Sequence, residues 1–388
     1  MDLYLVIENK TIIRFTLFFI LSCCLLIPQD APAQYRQAHT VVHSSIFFQT
    51  WKITEDGSEK QLTQWALPFF LSRAFGSRLQ LMLAESNAIS LLDLPDGAKW
   101  PSQDPLSFGG IGDTKIKLSY GLVPNKLLIT SGLSLPTGKN ALSIPESKIF
   151  RQFSSETLAF RVGKLGQGLE GSIGLVGMHE MGPVTIGGGG SYLARGAYRQ
   201  LDISEEAGYK PGNQYNGVFS AGLKMSEVNL RSTVILTQYE ADQFFGQKEF
   251  QQGMETMVDN RISYQGVRSS ASAFIRQTIR NRNRFMQGEE LAMEEKNYQG
   301  MGLMMGLNVG YRLSRFTEVR GMVEHKRKLA NDFGQGRSQV STISLGMMAQ
   351  LKRDFALQID GQFSQGWMKD EAVSIQGLGA TTTLTMPF

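Results

Sequence analysis

The sequence predicts an all-β fold: a transmembrane antiparallel β-barrel with an even strand number, sixteen by the best count within a range of 12–16, behind a cleaved signal peptide. Three observations lead there. The chain opens on an export leader. Its remainder alternates apolar and polar residues with period two, and its short turns alternate with long polar connections.

The leader covers residues 1–33. Lys10 and Arg14 precede the apolar stretch Phe15–Ile27, and Ala31-Pro32-Ala33 supplies a small-residue site, so cleavage is expected after Ala33. Pro28 ends the apolar run short of the ~20 residues that a membrane helix needs. Ile20-Leu21-Ser22 before Cys23 is a poor lipoprotein signal, and both cysteines, Cys23 and Cys24, lie inside the leader. The exported chain would then hold no disulfide and no thiolate metal site. Removing the leader takes out Lys10, Arg14, Asp2, Glu8 and Asp30, so 39 basic against 35 acidic residues becomes 37 against 32. So even a balance gives no reason to expect a nucleic-acid partner.

Residues 34–45 read as a short periplasmic segment and 46–388 as the barrel, with the first strand starting near Ile46. Alternation is clearest late in the chain. Leu303, Met305, Leu307, Val309, Tyr311 and Leu313 fall on one side, and Gly302, Met304, Gly306, Asn308, Gly310 and Arg312 on the other. Ile343, Leu345, Met347, Ala349 and Leu351 repeat the pattern, as do Phe355, Leu357, Ile359 and Phe363. A helix would scatter these sets around its circumference, whereas a strand sorts them into two faces. The last strand does the same: Leu378, Ala380, Thr382, Leu384, Met386 and Phe388 oppose Gly379, Thr381, Thr383, Thr385 and Pro387. A terminal Phe388 has the form of the sorting signal read by the barrel-assembly machinery, so that machinery and outer-membrane lipids are expected partners.

Short turns are expected near 75–78, 123–126, 181–183, 226–227, 265–266, 314–315 and 353–354. Longer polar connections fall at 88–111, 137–165, 199–212, 241–253, 282–297 and 329–337. Trp51, Trp65, Tyr120, Tyr192, Tyr239, Tyr264, Tyr311 and Trp367 stand near strand ends, where they would suit interfacial girdles.

Three stretches carry a family resemblance: LPFFLSRAFGSRLQL from Leu67 to Leu81, GIGDTKIKLSY from Gly110 to Tyr120 and GLSLPTGK from Gly132 to Lys139. Their order resembles outer-membrane barrels described as transporters linked to the meta-pathway of phenol degradation, which are grouped with the outer-membrane long-chain fatty acid transporters. The resemblance covers residues 67–139 and the rest only by general plan. It implies passive diffusion of a small, hydrophobic or aromatic solute across the outer membrane of a Gram-negative bacterium. A structural or adhesive barrel with a blocked lumen is the alternative, and an outer-membrane hydrolase a more distant one. The fatty acid transporters plug their lumen with an N-terminal hatch; only Gln34 to Ser45 precede the expected first strand here.

If apolar faces meet lipid, the alternate residues line the lumen. Asp259, Arg261, Arg276, Arg280, Arg312, Glu318, Arg320, Glu324, Lys326 and Asp360 then form a charged wall. It reads either as a surface that orients a solute or as a ladder of mutually neutralising ion pairs. Two long connections carry apolar residues that a solvated loop does not need: Leu91, Leu92 and Leu94 in one, Phe150 and Phe153 in the other. They read as constrictions at the barrel mouth or as strand extensions. Gly187–Gly190 reads as relief of crowding within a strand. None of His39, His43, His179 and His325 stands beside an evident serine or paired acid, and no phosphate loop or metal spacing occurs. No catalytic residue, metal or cofactor is assigned.

Overall fold

The computed structural model describes residues 40–93, 106–139, 141–163, 166–202, 208–352 and 355–388. Ala33, residues 34–39 and Leu94 lie outside them. The alternating segments form sixteen antiparallel staves: β1 Thr40–Glu55, β2 Ser58–Phe75, β3 Leu79–Asp93, β4 in two pieces, Leu106–Ile111 and Thr114–Val123, and β5 Leu127–Leu135. The ring continues with β6 Glu170–Met181, β7 Val184–Arg195, β8 Gln214–Met225, β9 Val228–Tyr239, β10 Glu255–Gln265 and β11 Ser269–Arg280. It ends with β12 Gly302–Arg312, β13 Thr317–Lys328, β14 Ser338–Lys352, β15 Phe355–Met368 and β16 Val373–Pro387.

Each stave pairs with its chain neighbours, and β1 pairs with β16 from Val41↔Pro387 to Glu55↔Val373, closing the ring. Thr40 and Phe388 exchange backbone hydrogen bonds of 3.1 and 2.7 Å at the end of that seam. The first strand thus begins six residues before the expected Ile46. The physical reason is that pairing with the last strand continues as far as β16 offers partners.

All seven turns on the rim that carries both chain ends are short, where the sequence placed them. Six of the eight connections on the far rim are long. The other two are tight: Asp56-Gly57, with φ of 50° and 76°, and residues 369–372. A two-residue Asp-Gly turn with both φ positive matches the twist of the flanking strands. Three of the far-rim loops also build a second, five-stranded sheet from Tyr209–Lys210, Ala241–Phe244, Gln247–Gln251, Arg284–Gln287 and Glu290–Met293. Glu294 braces its foot by accepting from the backbone N–H groups of Asn283 and Tyr298.

The outer face is apolar. Leu307, Val309, Ile343, Leu345, Ile359, Phe363 and Leu378 are all exposed, Leu345 by 71%. A belt of this kind around a closed ring suits hydrocarbon and not water. Closure satisfies every stave on both sides, the condition for crossing a bilayer with strands. No helix among the described residues is long and apolar enough to do so. Tyr120, Tyr264 and Tyr311 stand exposed near the short-turn rim, and Tyr192 packs on Tyr215 at 5.0 Å near the other. Two of the expected girdle residues belong inside. Trp51 is buried in the interior, and Tyr239 falls on the lumen side of β9, because the alternation of those strands turns them inward.

Small residues let the wall accept such bulk. Gly377 lies opposite Trp51, and a Cβ there would meet the indole ring at 2.8 Å. In the Gly187–Gly190 run a Cβ on Gly189 would meet the Leu175 carbonyl oxygen at 2.5 Å, so this glycine does relieve crowding.

Two substitutions test which face meets lipid. Leu345→Arg should cost about 2–4 kcal/mol near the bilayer midplane. Asn308→Arg, on the lumen side one register step away, should cost under about 1 kcal/mol. Guanidinium unfolding of the barrel in vesicles measures both.

Candidate functional site

The longest described connection, between β5 and β6, folds into the barrel. Its helix α1 (Ile144–Phe153) starts at Ser143, whose hydroxyl accepts from the Glu146 N–H while Glu146 accepts from the Ser143 N–H. Pro145 in the first turn needs no hydrogen-bond partner there. Ile149 and Phe153, four residues apart, form a buried stripe. With Leu158, Phe160 and Val162 they pack on lumen-side residues of the wall: Trp51, Ile53, Leu62, Ala66, Leu92, Phe108, Val340, Val373 and Ile375. The apolar core of this protein is therefore inside the ring, between an inserted loop and the staves β1–β4 and β14–β16.

Polar contacts fix the loop at three heights. At its feet, one Asp113 carboxylate accepts from Gly138 N–H at 2.9 Å and from Gln167 N–H at 2.6 Å. Asp113 reaches them because β4 carries a bulge. β3 pairs in one register with Leu106–Ile111 and, one residue shifted, with Thr114–Val123. Even residues face inward above the bulge, among them Phe108, and odd residues below it. Thr137 closes the same joint, its hydroxyl accepting from Thr114 N–H and donating to the Gly112 carbonyl. The Gly110–Asp113 and Leu135–Gly138 motifs are thus the two halves of one latch. Higher up, the buried Gln64 amide donates to the Val162 carbonyl and accepts from Val162 N–H, and Gln49 donates to the Leu158 carbonyl. At the tip, Glu156 meets Arg280 at 2.8 Å on the opposite wall, and Lys326 donates to the Glu156 carbonyl.

The tip leaves a cavity of ≈450 Å³ against β10–β14, lined by Phe153, Glu156, Ala159 and Phe160 of the loop and by Glu255, Met257, Arg276, Arg280, Met304, Lys326 and Lys328 of the wall. Below it, along the same staves, lies a polar cavity of ≈650 Å³ lined by Asn308, Arg320, Ser344, Gln358, Asp360 and Gln362 among others. Together they describe a lumen narrowed on one side by the inserted loop and lined on the other by the charged wall.

The residues expected on that wall fall on the lumen side, and several are paired. Arg276 meets Asp259 at 2.8 Å, Arg320 meets Glu318 at 2.8 Å, and Arg280 bridges Glu255 and Glu156. Arg261 lies over the Phe274 ring at 5.5 Å, and Asp360 accepts from Gln358 at 2.7 Å. Glu324 lies opposite Gly306 in register, and Arg312 opposite Glu318 at the near mouth. Phe150 and Phe153 lie in α1, packed on the interior core. Leu91 and Leu92 are strand residues of β3, as the strand-extension reading has it, so the connection begins after Asp93 and not at residue 88. The stave stays paired with the upper piece of β4 as far as Leu92↔Leu106, and alternation turns Leu92 inward and Leu91 outward.

Sequence reasoning missed Asp113, Gln64, Glu156 and Glu255. Period two from Asp259 would have reached Glu255, whereas Gln64 and Glu156 carry no pattern of their own. His325 Nδ1 lies 3.0 Å from Ser341 Oγ, on the outward face. On that face its register partners are Met305 and Ser341, with Val323 and Arg327 two residues away on its own strand.

No protein-family model matches the chain, and no curated protein matches it in sequence. Among solved structures it is similar to Pseudomonas aeruginosa OpdK with vanillate, at 9% identity over 91% of this chain and 99% of that one, TM-score 0.46. It is also similar to the CymD monoaromatic hydrocarbon channel (13%, 92% and 90%, TM-score 0.42) and to an anion-selective porin from Comamonas acidovorans (10%, 90% and 100%, TM-score 0.40). Likenesses this loose decide nothing about function; the closed register of the staves is what defines the fold.

Two outcomes check the latch and the tip. Asp113→Ala removes the acceptor of two charge-assisted bonds, each worth about 1.5–3 kcal/mol, and should make residues 139–167 cleavable by added protease while the ring stays folded. The second outcome concerns pH. Partial burial pushes the Glu156 carboxyl up, but Arg280, with Lys328 and Lys326, outweighs it and leaves the group below 4.5. Burial likewise acts on Glu146 and is outweighed by Lys139 and Ser143. The groups facing Glu156 are Arg280, Lys326, Lys328 and Glu255, with Glu324 on the same strand as both lysines. A lowered pKa contributes stability above 4.5 that disappears as pH falls through the lowered value. Trp51 emission, in a variant with the other tryptophans replaced, should stay constant from neutrality down to 4.5 and shift to the red below it.

Proposed function

We propose that the barrel is a passive channel of a Gram-negative outer membrane for small solutes with a hydrophobic or aromatic body. The observation that carries this is the narrowed lumen. A 16-stranded ring encloses more space than its own side chains fill, and the inserted loop occupies one side while the other keeps two cavities, one above the other. Phe153, Phe160, Met257 and Met304 offer an apolar surface within the constriction, which favours an apolar body over a sugar. The resemblance at residues 67–139 to barrels linked with phenol degradation supports the same solute class, since the motifs that carry it build the loop's latch. Phe388 at the short-turn rim suits recognition by the barrel-assembly machinery.

Reconstitution in liposomes tests the reading. Isotonic swelling should be faster for benzyl alcohol than for a sugar of similar size. No permeation of either would instead support the blocked structural barrel.

A further inference from the structure

The tip of the inserted loop places an acid where the wall is basic. Among the charged residues lining the upper cavity, Arg276, Arg280, Lys326, Arg327 and Lys328 are cations, and Glu156 and Glu255 are the only acids among the described residues. Glu255 belongs to the wall, held on Arg280 Nε, and Asp259 holds Arg276. Glu156 differs from both. It comes from the loop, meets the other face of the same guanidinium through Arg280 Nη1, and its side chain is 58% exposed. The rest of the tip is held by the backbone carbonyl of Glu156 and the hydroxyl of Thr157, which bonds Ser338 at 3.1 Å. The carboxylate can therefore leave Arg280 without the loop leaving the wall. The loop also lines the cavity with Phe153, Ala159 and Phe160.

We propose that Glu156 is a tethered carboxylate occupying an anion site formed by Arg280, Lys326 and Lys328, and that a solute bearing its own carboxylate on an apolar body passes by exchanging with it. Arg280 offers a planar fork that suits one carboxylate at a time beside Glu255. The solute body then lies against the phenylalanines. Glu156 thereby sets specificity: it keeps the site neutralised against small inorganic anions and yields to a carboxylate that also contributes apolar contact. The inference rests on the channel reading above.

The test is single-channel recording in planar bilayers, with benzoate and benzyl alcohol as probes in a potassium chloride gradient. Wild type should conduct, and benzoate should reduce the chloride current while benzyl alcohol does not. Glu156→Gln should shift the reversal potential toward chloride and tighten the benzoate effect by about tenfold, the order expected for removing one charge at contact distance in a screened site. Glu156→Asp should keep the wild-type selectivity, and Arg280→Gln should abolish the benzoate effect. A Glu156→Gln channel that conducts with unchanged reversal potential and benzoate response overturns the anion site and leaves the channel standing. Absence of current in wild type overturns the channel itself.

Discussion

Everything in this molecule depends on the backbone having nowhere to go but its neighbour. In hydrocarbon an unpaired amide or carbonyl costs several kcal/mol, so a strand that enters the bilayer needs partners on both sides. The β1–β16 seam supplies the last of them, over fifteen residue pairs in one register. Once that ring is closed, each side chain's face is decided by its position alone. The apolar belt, the charged wall and the small-residue face of β16 are three results of one alternation.

The ring creates a problem that the loop solves. A soluble domain buries its apolar residues between layers, but here the outer face belongs to lipid and the lumen is wide. The inserted loop builds a core within the lumen from Ile149, Phe153, Leu158 and Phe160 against inward residues of seven staves. Polar bonds then set where it sits: Asp113 at the feet, Gln64 midway, and Lys326 and Ser338 at the tip. Burial supplies the attraction and the hydrogen bonds supply the position, because apolar contact alone has little directionality.

Much of the ring was legible in the sequence. Period two assigns Leu303 to Leu313 and Leu378 to Phe388 to their faces without any tertiary knowledge, and the turns fall where short polar breaks interrupt it. Trp51 and Tyr239 were misread because an aromatic near a strand end suits an interface or an interior equally, and only register separates the two. The first strand was cut short because Thr40 to Ser45 gains its order from β16, 338 or more residues away in the chain. The loop was the least legible part. Its apolar residues announced burial, but not against what, and Glu156 acquires meaning only when Arg280 faces it across the lumen.

The latch at Asp113 has a consequence for how such a barrel can change over time. Both feet of the inserted segment are clamped to one carboxylate, on a bulge that the wall itself carries. The stretch between Gly138 and Gln167 is consequently a cassette with a fixed socket. Its length and chemistry can be exchanged while the staves, their register and their lipid contacts stay as they are. The wall and the cassette are separable inheritances, and one scaffold of this kind can serve many solutes by rewriting some thirty residues.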